Sequence, residues 1–121
     1  MKRLLPLLAL FAITGCETAA EKAASAVTEG DPNKGREEIR EHGCITCHTI
    51  PGIPNADGLV APPLQQIAKR TYIAGVIVNT PENMQRWLKD PPSVDPLTAM
   101  PNLGLSDDEI RDIASYLYTL K

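Results

Sequence analysis

The 121-residue sequence predicts an all-α fold, and three observations predict it. Helix starts are marked three times, at Asp31-Pro32, at Thr80-Pro81 and at Ser106-Asp107-Asp108-Glu109. Each places a capping side chain before a proline at the first helical position or before the glutamate of a capping box. The closing segment repeats apolar residues at steps of three and four, through Ile110, Ile113, Leu117 and Leu120. No apolar-polar alternation runs far enough to make a strand of useful length, and no internal repeat is present.

The length suits one domain, and the first stretch stands outside it. Met1, Lys2 and Arg3 precede an apolar run from Leu4 to Ile13 that only Pro6 interrupts. Too short to span a bilayer, it reads as an export signal over residues 1–15. Ile13-Thr14-Gly15-Cys16 resembles the lipobox of bacterial lipoproteins, which makes Cys16 the expected lipidation site. The plainer alternative is an ordinary secretory signal with a chance cysteine, but a lone thiol is unusual on an exported protein. Residues 16–30 then comprise the anchor and a tether rich in Ala, Glu, Ser and Thr. A frayed helix is conceivable there, yet with no sizeable apolar face the reading is flexible chain with a reach of about 20 Å.

Residues 31–121 form the folded domain. Asp31 caps a helix that runs to about His42 and stops at Gly43. Residues 50–63 hold four prolines and two glycines and read as loop, with a short helix expected over 64–70. Thr80 caps the next helix, where Met84, Trp87 and Leu88 share a face, and Pro91-Pro92 ends it. A proline-broken loop over 93–105 leads to the last helix. Without Phe11 the aromatics number only four, Tyr72, Trp87, Tyr116 and Tyr118, and a domain this small needs a staple or cofactor to complete its core. Once Lys2 and Arg3 are removed, ten basic against fifteen acidic residues leave a formal charge of −5. The chain has no basic stripe, which argues against nucleic acid as a partner.

Cys44-Ile45-Thr46-Cys47-His48 names the cofactor. C-x-x-C-H is the attachment signature of haem c: two thiols add to the vinyl groups on one porphyrin edge, and the next imidazole swings under the iron. Zinc would need a second ligand pair, and a thioredoxin-like site would need a βαβ setting; neither is present in the sequence. Haem c is attached outside the cytoplasmic membrane, so the motif and the export signal agree.

A second axial ligand must come from far along the chain. Met100, in the proline-bracketed segment Pro96-Leu97-Thr98-Ala99-Met100-Pro101, is the expected one, its soft thioether favouring ferrous iron. The rivals are Met84, which mid-helix reads as core, and His42, too near His48 to reach the other porphyrin face.

With these residues in place the chain resembles the class I cytochromes c, from Asp31 to Lys121. The resemblance rests on C-I-T-C-H, on Ala61-Pro62-Pro63-Leu64, and on N-T-P-E-N-M-Q-R-W-L-K-D-P followed by A-M-P-N-L-G-L-S. The second half is similar to the cytochrome c domain fused to subunit II of some haem-copper oxidases. The resemblance implies three to five helices wrapped around one covalent haem. It further implies a proline near the proximal histidine (Pro62, or its neighbour Pro63), an arginine beside a haem propionate (Arg70) and an aromatic packed near the methionine (Trp87). Gly35 and Tyr116 would mark the helix crossing that closes the fold. Arg70 as a solvated charge and Trp87 as plain core are the blander readings. Few lysines lie near these motifs, which departs from family members that ring the haem edge with them.

The functional expectation is a monohaem electron carrier rather than an enzyme, with the haem domain in the periplasm or on the outer cell surface. Its expected partners are a membrane through lipidated Cys16, a quinol-oxidising complex and a terminal oxidase. One alternative is a tightly bound haem subunit of a larger periplasmic oxidoreductase. The other is a sensor or peroxidase, which needs an open sixth site.

Overall fold

The computed structural model describes residues 15–121, so the export-signal expectation lies outside the described residues apart from Gly15. Six α-helices are present among the described residues: α1 (Ala19–Thr28), α2 (Pro32–Glu41), α3 (Cys44–Cys47), α4 (Pro81–Lys89), α5 (Pro91–Val94) and α6 (Asp107–Thr119). Two of them, α3 and α5, are single turns. The three marked starts all cap as expected. Asp31 accepts from the backbone N–H of Asn33 at 2.9 Å, and Thr80 accepts from Asn83 at 3.1 Å. Ser106 and Glu109 exchange both bonds of a capping box, at 3.2 and 2.8 Å. Gly43 ends the α2 region in the left-handed conformation, with φ of 75°, where a side chain would be strained.

The residues expected to be a flexible tether are instead mostly helix. Thr18 and Glu21 form a capping box for α1, which lies against α6. The side that packs is small rather than greasy: Ala24 and Thr28 are buried, and the Thr28 hydroxyl is satisfied by the Ala24 carbonyl at 2.9 Å. On α6 the fully buried Ser115 bonds the Gly30 carbonyl at 3.4 Å. Small side chains with their own hydrogen bonds let two backbones approach closely, an interface that a search for apolar faces overlooks.

Three smaller corrections apply. The helix expected over 64–70 is only a 3₁₀ turn, Ile67–Lys69. The loop expected over 93–105 starts later: α4 ends at Lys89 ahead of Pro91-Pro92, as expected, and Pro91 then opens the single turn α5, where proline suits the first turn. A two-stranded antiparallel hairpin joins β1 (Tyr72–Ile73) to β2 (Ile77–Val78), pairing Tyr72 with Val78 and Ile73 with Ile77. Its turn residues Ala74 and Gly75 both have positive φ, as a type I′ turn needs, and two-residue strands are too short to show a period.

Helices α2 and α6 form the most extensive contact among the described residues. Ile39 on α2 and Ile110 and Ile113 on α6 are buried in one core, which continues through Ile50, Ile67, Met84, Trp87, Leu88 and Leu117. It ends at a cavity between the segment after α3 and the segment before α6.

Candidate haem site

The single turn α3 puts Cys44 and Cys47 three residues apart on one face. Burial pushes the Cys44 thiol up from its ordinary pKa. The backbone then turns extended at His48, whose N–H closes the helix on the Cys44 carbonyl at 3.0 Å.

The ring of His48 is fixed from behind. Its Nδ1 lies 2.7 Å from the carbonyl oxygen of Pro62; a carbonyl only accepts, so Nδ1 carries the proton and Nε2 keeps its lone pair. Of the two prolines considered, Pro62 therefore makes this bond. The loop that presents it is stitched to the motif by Ala61 N–H to the Cys47 carbonyl and Leu64 N–H to the Thr49 carbonyl, both at 2.9 Å. Thr49 Oγ1 also donates to the Gly58 carbonyl at 3.0 Å. A Cβ on Gly58 would stand 2.6 Å from the Thr46 carbonyl oxygen, so only glycine lets the loop lie this close.

In front of the ring is a cavity of about 330 Å³, lined by His48, Pro62, Leu64, Ile67, Met84, Trp87, Leu88 and Leu117, with Met100, Arg70 and Asp95 also on its wall. The lining is mostly hydrocarbon. Met100 reaches it from a structured turn, its N–H held by Thr98 Oγ1 at 3.1 Å and Leu97 N–H by Asp95 Oδ1 at 3.0 Å. His42 is not on this wall; it pairs with Glu109 at 2.9 Å. Met84 is on it, but is buried mid-helix at 2 % exposure. Trp87 is buried and lines the cavity, so the core reading and the cavity reading both describe it. Arg70 also lines it, and its guanidinium donates to the carbonyls of Pro63 and, at 3.0 Å, of Gln65. Sequence reasoning missed Gly58 and Asp95, because nothing local distinguishes them from other loop residues.

The residue set fits haem c: two thiols one turn apart, an imidazole with Nε2 available, a thioether, and an apolar cavity between them. A profile described as cytochrome c matches residues 32–121. The chain belongs to the cytochrome c family. As a cytochrome c it carries covalently attached haem c, and Cys44 and Cys47 stand in the family's C-x-x-C-H motif. Bound there, the group supplies exchange of one electron at iron.

Three relatives are named cytochrome c oxidase subunit 2. The protein from Alkalihalophilus pseudofirmus is 34 % identical over 95 residues, covering 78 % of this chain and 27 % of its own. That from Bacillus subtilis is 36 % identical over 109 residues, covering 86 % and 31 %. That from Bacillus sp. PS3 is 31 % identical over 105 residues, covering 84 % and 30 %. This cytochrome c domain thus spans under a third of the length of the curated relatives it matches. Those relatives are by name subunits of an enzyme complex.

Proposed function

We propose that this cytochrome c domain is a membrane-tethered carrier of single electrons in a respiratory chain, handing them to a terminal oxidase. In this reading His48 and Met100 would hold the iron, and Cys44 and Cys47 would be the attachment points. The observation that carries it is the convergence of His48 and Met100, from distant parts of the chain, on one apolar cavity. With His48 and Met100 both holding the iron, a substrate would find no open place on it, so the domain would relay electrons and would not itself catalyse. A low-dielectric surround and a thioether ligand favour the ferrous state and raise the potential. The oxidase as acceptor is supported by the names of the relatives; a quinol-oxidising complex would be the donor.

Cys16 is the proposed lipid anchor, with the domain in the periplasm or on the outer surface. No helix among the described residues is long and apolar enough to cross a membrane. Cys16 is exposed and lies two residues before the Thr18 cap of α1. Because α1 packs on α6, such an anchor would hold the domain close to the bilayer instead of letting it swing.

One observation favours the second reading, a haem subunit fixed in a larger complex. Val60 lines the cavity, and its neighbour Leu59 and the near-fully exposed Leu97 flank lining segments, leaving apolar side chains at 78 %, 91 % and 93 % exposure respectively. The test is reduction of a purified haem-copper oxidase by the ferrous holoprotein, alongside detergent extraction of native membranes. Rapid oxidase turnover with a free haem protein supports the carrier. Co-migration with a complex and no transfer when isolated would support the fixed subunit. A Cys16→Ala chain that still fractionates with membranes would remove the anchor.

A further inference from the structure

We infer that Asn79 and Tyr118 are positioning residues for the proximal histidine, acting through Arg70 and the loop that carries the Pro62 carbonyl. The inference rests on the reading of His48 as the proximal ligand. It starts from an amide with almost every bonding position used. Asn79 Nδ2 donates to the carbonyls of Ile67 and Arg70, both at 2.9 Å, and its Oδ1 accepts from the Tyr118 hydroxyl at 2.7 Å. The Asn79 backbone N–H goes to the Thr71 carbonyl at 2.9 Å. Its side chain thus ties the 3₁₀ turn and the residue after it to the last helix, while its backbone N–H holds Thr71, just ahead of the hairpin.

Arg70 is the next link. Its backbone is held by Asn79, and its guanidinium reaches back to the carbonyls of Pro63 and Gln65. A planar fork with several donors spans two carbonyls in a way a lysine cannot. Pro63 directly follows Pro62, whose carbonyl accepts the His48 Nδ1 proton. The position of that carbonyl is therefore set by a continuous path: Tyr118, Asn79, Arg70, Pro63, Pro62. Burial, with the Glu82 carboxylate adding to it, pushes the Tyr118 hydroxyl up to about 12, so it remains a donor throughout the ordinary pH range.

The bond from Nδ1–H sets how much imidazolate character the ligand has, and so how well it stabilises ferric iron. Loosening the path weakens that bond and moves the equilibrium toward ferrous iron. Arg70→Lys should favour the ferrous form by up to about tenfold, equivalent to about 59 mV for one electron. Tyr118→Phe, which removes only an oxygen, should shift it the same way by a smaller factor. In the reduced holoprotein the His48 Nδ1 proton resonance should move upfield in both variants. The double variant should show the Arg70→Lys shift with little added, because both changes cut one path. Variants that melt earlier but keep the wild-type potential and His48 resonance overturn the inference, as do fully additive shifts. Should Arg70→Lys fail to fold, Tyr118→Phe alone decides, by the same two readouts. A wild-type holoprotein whose His48 ring lacks the signature of an iron ligand would instead remove the ligand reading, and this inference with it.

Discussion

Gly35 on α2 faces the backbone carbonyl of Asp112 on α6 so closely that a Cβ built on it overlaps that oxygen. The contact sits in the α2–α6 interface, the most extensive helix contact among the described residues, whose core includes Ile39 and Ile113. Neither backbone has a flexible side chain to move aside. Gly35→Ala should therefore cost about 3 kcal/mol or more, despite the better helix propensity of alanine. Denaturant unfolding of the holoprotein measures this; a loss under about 1 kcal/mol would show that the helices part easily.

Glu38 gives the same interface a pH dependence. Burial, with Asp112 and Glu109 across on α6, raises its carboxyl from 4.5 to about 7, opposed in part by His42. Its Oε2 is buried with no hydrogen-bonding partner among the described residues. The folded state thus holds a proton that the unfolded chain has released, so stability falls as pH rises from about 4.5 through 7. Glu109 acts in the opposite sense: the Ser106 N–H, then His42, hold it at about 2, and its contribution is lost as pH falls from 4.5 toward that value. Glu38→Gln should raise the melting temperature at pH 8 by several degrees, about 1 kcal/mol in this partly solvated position, and change little at pH 5. An equal effect at both pH values would mean that Glu38 is not the group responsible.

For α1 the measurement is amide hydrogen exchange. A helix capped by Thr18 and packed through Ala24 and Thr28 should protect the amides from about residue 22 to 28 by orders of magnitude, whereas a tether exchanges within seconds. Thr18→Ala should weaken that protection by about 1 kcal/mol of local stability.

Much of the fold was legible because its signals are local. Asp31, Thr80 and Ser106 cap helices through bonds to residues two or three positions on, and Cys44, Cys47 and His48 need only one turn to present themselves. The apolar spacing of α4 and α6 likewise follows from the helical period alone. What escaped notice depends on partners distant in sequence. The close approach of Gly30 to α6 and the burial of Ala24 and Thr28 give α1 its place, though nothing apolar marks the segment. Asn79 reads as a residue ahead of a cap, and only the folded chain brings it to Ile67, Arg70 and Tyr118. The choice between Pro62 and Pro63 was likewise a matter of geometry.

Ionic strength should matter little for electron transfer. The cavity wall carries one arginine and one aspartate, Arg70 and Asp95, and exposed Leu59, Val60 and Leu97 stand near it. Apolar contact is not screened by salt. Stopped-flow rates with an oxidase partner should change less than about threefold between low salt and physiological ionic strength; a fall of tenfold or more would place charge steering at the centre of docking.

The central claim, that His48 and Met100 occupy both axial positions in a carrier, is tested most directly by mixing the reduced holoprotein with carbon monoxide. The wild-type protein should stay low-spin and bind the gas slowly or not at all, while Met100→Ala should bind it rapidly. Rapid binding by the wild-type protein, matching the variant, would contradict the account.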